Sequence, residues 1–121
     1  MVNRRVETFR DLVVWQKSHE LVIMIYKMTN KFPKRERESF ANQIREIATL
    51  IPVNIATGFK KRAKKAKVFY YRNALATIEK IRYMIILAEE MGYIKKTTAQ
   101  QDACDTIERM LKRLIRSIAT G

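Results

Sequence analysis

The chain has 121 residues, 47% of them hydrophobic, with 25 Lys or Arg against 12 Asp or Glu and a formal net charge of +13. That length supports one domain with a real core, and an ordinary apolar fraction excludes disorder as the meaning of the charge. Three Gly, two Pro and one Cys exclude a turn-rich all-β fold and an internal disulfide. Residues 1–5 are basic but precede no apolar run long enough for export. The longest apolar stretches, 21–26 and 83–88, are too short to span a bilayer. The expectation is a soluble, reduced, cytoplasmic protein with no membrane partner.

The first helical pattern covers 12–30. Trp15, Ser18, Val22, Ile25 and Thr29 step by three and four, flanked by Val14, Leu21 and Met28. Upstream, Thr8-Phe9-Arg10-Asp11 has the form of a capping box, and Pro33 ends the helix because it disfavours α geometry at Phe32. The second pattern covers 35–58, with Phe40, Ile44, Ile47, Ile51 and Ile55 on one face beside Ala41 and Ala48. Pro52 falls inside it, removes one backbone donor and predicts a kink instead of an end. Gly58 is the expected terminus, with a helix that runs on into the basic segment as the alternative.

Residues 60–72 then read Lys60-Lys61-Arg62-Ala63-Lys64-Lys65-Ala66-Lys67-Val68-Phe69-Tyr70-Tyr71-Arg72, seven Lys or Arg with no acid. The run leads into the third helical pattern and so falls at a corner of the fold. Its bland reading is a solvated helix end that aids solubility. Against that, the run is one-signed in a chain that is basic overall, and Tyr70 and Tyr71 offer rings for base stacking. Lys60, Lys61, Arg62, Lys64, Lys65, Lys67 and Arg72 are the candidate phosphate contacts. No motif of a sequence-specific reader accompanies them, so recognition of backbone and shape is expected.

The third pattern, 64–91, repeats through Val68, Tyr71, Leu75, Ile78, Ile81, Ile85 and Ala88, broadened by Ala74, Met84, Leu87 and Met91. Gly92 is placed as its C-terminal cap. The fourth, 98–119, opens at Thr97 or Thr98, each with Gln three residues on, and continues through Ala103, Ile107, Leu111, Leu114 and Ile118. Short connections between four one-sided helices predict an all-α, antiparallel up-down-up-down four-helix bundle, a single domain over 1–121.

Catalytic chemistry finds little to work with. A di-metal bundle site needs Glu-x-x-His on two helices, and the one histidine, His19, follows Gln16 at that spacing. One Cys and one His cannot build a zinc site, and the three glycines are too scattered for a phosphate loop. Cys104 lies beside the core stripe of the last helix, where a structural thiol is expected. Glu79, Glu89 and Glu90 share a helix with Lys80 and Arg82 and read as solvated ion pairs. No enzyme activity and no cofactor are expected.

Ordered blocks along the chain carry a family resemblance: Phe9-Arg10-Asp11-Leu12-Val13-Val14-Trp15-Gln16-Lys17, Ile25-Tyr26 with Thr29, Phe32-Pro33, Gln43-Ile44-Arg45, Ile51-Pro52-Val53-Asn54-Ile55-Ala56 with Gly58, and Gly92-Tyr93-Ile94. In these the chain resembles the bacterial four-helix-bundle proteins encoded in intervening sequences of large-subunit ribosomal RNA genes. It departs from their usual pattern at Thr57, where Glu is common, at Glu46, where Arg is common, and at Ala76-Thr77-Ile78-Glu79-Lys80-Ile81-Arg82, which replaces a more acidic segment. The resemblance implies association with ribosomal RNA. Through the similar accessory variability proteins of diversity-generating retroelements, it also implies a homo-oligomer, a pentameric ring first of all, and a reverse transcriptase partner with its RNA. The resulting expectation is a non-catalytic nucleic-acid-binding protein, RNA ahead of DNA. The competing reading is a structural or oligomeric protein-interaction subunit whose basic face meets an acidic protein.

Overall fold

The computed structural model describes residues 5–120; residues 1–4 and 121 of the expected 1–121 domain lie outside the described residues. Among the described residues all regular structure is helical: α1 (Val13–Thr29), α2 (Phe40–Lys60), α3 (Lys64–Glu90) and α4 (Thr98–Thr120), with 3-10 turns at Phe9–Asp11 and Lys34–Glu36. α1 packs on α2, α2 on α3, α3 on α4, and α4 closes on α1. That cycle of sequence neighbours is the up-down-up-down four-helix bundle.

Each helix gives the interior one stripe. Leu21 and Ile25 come from α1, Ile44, Ile51 and Ile55 from α2, Ile78, Ile81 and Ile85 from α3, Ile107 and Leu111 from α4, all fully buried. Ala41, Ala48, Ala74 and Ala88 are buried among them. These small residues let helices approach while the isoleucines interdigitate, and truncating one isoleucine to Ala costs about 2–5 kcal/mol. Polar groups inside are satisfied locally. Ser18 Oγ donates to the Trp15 carbonyl at 2.7 Å, and Thr29 Oγ1 to that of Ile25 at 2.8 Å.

Helix limits depart from the sequence pattern for local reasons. Thr8 and Asp11 do form a capping box, with Asp11 Oδ2 accepting from the Thr8 N–H at 3.0 Å. It caps the short 3-10 turn, and extended Leu12 (ψ 124°) separates that turn from α1. After Pro33 the chain makes only another 3-10 turn. Ser39, at φ −121° and ψ −88°, is outside helical geometry, so α2 begins at Phe40 and not at residue 35.

α2 runs through Pro52 and past Gly58 to Lys60. Gly58 is therefore not the terminus, and the alternative of a helix continuing into the basic segment is the one observed. A Cβ there would lie 2.8 Å from Cε1 of Tyr71 and 3.2 Å from Cβ of Tyr70. Glycine at this position admits the Tyr71 ring and sets the spacing of α2 and α3. Gly92 is a true cap: at φ 77° it donates to the Glu89 carbonyl at 3.0 Å while the Tyr93 N–H reaches that of Ala88 at 2.9 Å. This paired pattern satisfies carbonyls that the end of α3 leaves open.

Candidate nucleic-acid interface

No acid occurs between Glu46 and Glu79, and the α2–α3 corner lies within that interval. Lys60, Lys61, Arg62, Lys64, Lys65 and Arg72 are exposed there. Lys67 is turned inward. Its Nζ donates to the Phe59 carbonyl at 2.7 Å and the Gly58 carbonyl at 3.3 Å, and sits 5.6 Å from the Phe59 ring centroid. Those carbonyls belong to the open last turn of α2, whose dipole favours a cation. Lys67 caps α2 and supports the corner, and the other six basic residues face solvent.

The start of α3 is electrostatically one-sided. Ala63 stands at the N-cap without a side-chain hydrogen bond, and the first turn contains no acid. A helix N-terminus carries partial positive charge and open N–H groups, so Lys64 and Lys65 stand where an anion is favoured. An anion arriving here meets backbone donors and ammonium groups together.

The three neighbouring rings have different availability. Tyr71 is 2% exposed, packed against Gly58, and burial pushes its phenol pKa up. It cannot stack on a base, contrary to the sequence reading. Tyr70 is half-buried with Lys61 Nζ 5.3 Å from its ring centroid. Phe69 is 58% exposed and meets Tyr70 edge-on, at 5.1 Å and 90°. Sequence reasoning passed over Phe69. The available signal was its place off the apolar stripe, between Lys65 and Arg72 at helical spacing.

Topology adds a second basic element that was not anticipated. The C-terminal half of α4 returns to this end of the bundle, where Arg113 lines a shallow cleft with Leu12, Val13 and Val14 at the start of α1. Arg109, Lys112, Arg113 and Arg116 are exposed on one α4 face. Lys112 pairs with Glu108 at 3.0 Å. Arg109, Arg113 and Arg116 have no ion-pair partner among the described residues. Excess positive charge is thus gathered at one end of the bundle.

Nearer the middle of the bundle, opposite charges are paired. Arg82 pairs with Glu79 at 3.1 Å and with Asp105 and Glu108 across the α3–α4 seam. Burial pulls its pKa down, but the Asp105 hydrogen bond and the charges of Glu108, Asp105 and Glu79 push it up further. Cys104 is fully buried, and burial pushes its thiol up to about 11. His19 stacks on Trp15, with centroids 5.3 Å apart and planes within 4°. Among the described residues no cluster of His, Cys, Asp and Glu is arranged to hold a metal, and no helix is long and apolar enough to cross a membrane.

The sequence blocks named above meet in space as structural joints. Arg45 Nε donates to Thr29 Oγ1 at 2.7 Å and Nη2 to Asn30 Oδ1 at 2.7 Å, with the guanidinium 4.8 Å from the Tyr26 ring centroid. Phe32 stacks on Phe40, Tyr93 meets both rings at a tilt, and the Tyr93 hydroxyl donates to Glu36 Oε1 at 3.0 Å. No curated protein is significantly similar to this chain. The family model described as 23S rRNA-intervening sequence protein matches residues 10–113. With most of its length so matched and its four helices in place, the chain belongs to the family of 23S rRNA-intervening sequence proteins.

Proposed function

We propose that this protein is a non-catalytic RNA-binding protein that holds the phosphate backbone against the basic end of its bundle. The observation that carries the reading is the exposure of Lys60, Lys61, Arg62, Lys64, Lys65 and Arg72 around the uncapped start of α3. Arg113 and Arg116 add positive charge at the same end of the bundle, and membership of a family described by ribosomal RNA intervening sequences favours RNA over DNA. Backbone contacts position a nucleic acid without reading its sequence. Each neutralised phosphate releases condensed counterions, so about five contacts give a log–log salt slope of roughly −3.5 to −4.5.

The test is a salt titration of RNA binding by the wild type and by a variant carrying Lys61→Gln, Arg62→Gln, Lys64→Gln and Lys65→Gln. The variant should bind every sequence more weakly, with its slope flattened by about one unit per lost contact. Unaltered affinity and slope would reduce the corner to a solubility feature.

A second reading has its own support. Tyr83, Ile86 and Met91 are exposed on the outer face and end of α3 at 63%, 49% and 57%, apolar surface that a homo-oligomer interface or an acidic protein partner would cover. A pentameric ring would multiply the basic end and raise avidity for a long polyanion, including RNA held by a reverse transcriptase. Sedimentation at micromolar concentration decides it, since a monomer throughout that range removes the ring.

A further inference from the structure

We infer that Phe69 is a stacking platform for an unpaired base, so that the basic end prefers single-stranded or looped RNA to a continuous duplex. The inference rests on the backbone-binding reading above and adds a substrate class to it. Of the three rings in Phe69-Tyr70-Tyr71, one is closed by Gly58 and one is roofed by Lys61. Phe69 alone keeps an open ring, 58% exposed, and has no polar handle to explain its exposure. It stands one turn from Lys65 and one turn from Arg72 on the outer face of α3, both exposed. Tyr70 meets its ring edge-on at 5.1 Å, with the Lys61 ammonium 5.3 Å from the Tyr70 ring centroid.

A bare phenyl in the most basic segment of the chain suits an apolar partner that arrives with negative charge. An unpaired nucleotide has both: a flat base for the ring and a phosphate for each flanking cation. In a duplex the bases are stacked on one another and offer the ring only groove edges. A helix outer face cannot push a single phenyl between intact steps without the cost of unstacking them.

The experiment measures binding of a labelled oligouridylate and of a blunt RNA duplex of equal length, at fixed low salt, to wild type, Phe69→Ala, Phe69→Leu and Phe69→Trp. Stacking predicts loss of oligouridylate affinity on the order of 5- to 150-fold in Phe69→Ala, little change for duplex, and an unchanged salt slope because no phosphate contact is removed. Phe69→Trp should bind as well as wild type or better. Phe69→Leu should bind like the alanine variant, since it keeps apolar area but lacks a π face. Circular dichroism of each variant checks that this exposed position leaves the bundle intact.

If wild type binds RNA with the expected salt slope and Phe69→Ala is unaffected, stacking is overturned while the backbone reading stands. Equal losses on oligouridylate and duplex, or a leucine variant equal to wild type, also overturn it. If wild type binds neither RNA but captures polyglutamate, both readings fall and the patch belongs to an acidic protein partner.

Discussion

Gly58→Ala is the most instructive substitution in the fold, because two well-known effects oppose each other there. In an exposed helix interior, alanine for glycine stabilises by about 1 kcal/mol. At position 58 the new Cβ would lie 2.8 Å from Cε1 and 3.1 Å from Cδ1 of Tyr71, and 3.2 Å from Cβ of Tyr70. Ordinary carbon contacts are about 3.5–4.0 Å. The Tyr71 ring cannot swing aside because it is 2% exposed, and Tyr70 Cβ moves only with the α3 backbone. Overpacking of this kind costs about 1–3 kcal/mol, so the net effect is destabilisation by about 1 kcal/mol. For a domain of this size that lowers Tm by roughly 3–5 °C. Thermal denaturation followed by circular dichroism reads it, with Tyr71→Leu as a second background. The Gly58→Ala penalty should shrink in that background, since the ring has gone. A Tm that rises by the full helix-propensity gain in the wild-type background would refute the packing role of Gly58.

Arg45→Ala should destabilise by about 1–3 kcal/mol in urea denaturation, because it removes two side-chain hydrogen bonds that join α1 to α2. Arg45→Lys should recover little of this, lacking the planar fork. Arg82→Met should cost about 1 kcal/mol near neutral pH. Lys112 and Arg82 hold the Glu108 carboxyl below its ordinary 4.5, so its stabilisation exists above that pH and disappears as pH falls through the lowered value. The Arg82→Met deficit in thermal melts should therefore shrink as pH falls through that lowered value, and an equal deficit there contradicts the ion-pair role. Cys104, with its thiol raised to about 11, should resist iodoacetamide at pH 8 in the native state and react fully in guanidinium. Rapid native labelling would contradict its burial.

The four apolar stripes were legible because helix periodicity records burial directly, and Ile44, Ile51, Ile78, Ile85 and Ile107 lie where the spacing put them. Less legible were features that depend on what a residue meets across the bundle. Gly58 reads as a cap in sequence and proves to be a seat for Tyr71, thirteen residues on. Lys67 reads as one more surface cation, yet its ammonium closes the end of α2. The charge on α4 looks like an ordinary solvated face until antiparallel packing brings Arg113 and Arg116 to the end that carries residues 60–72. The ring choice at Tyr70 and Tyr71 missed Phe69 because the stripe that buries Tyr71 turns its neighbour two residues earlier outward. Composition could locate a basic segment but could not say which of its side chains stay exposed.

Lysine acetylation of the protein alone and in complex with RNA, read residue by residue by mass spectrometry, tests the basic end most directly. Lys60, Lys61, Lys64 and Lys65 should become protected in the complex. Lys27, Lys31, Lys95 and Lys96, exposed near the other end of the bundle, should react as before. Lys67, already bonded to the carbonyls of α2, should react slowly in both states. Protection confined to Lys27, Lys31, Lys95 and Lys96, or no protection at residues 60–65 under conditions where RNA is bound, would contradict an RNA interface at the α2–α3 corner.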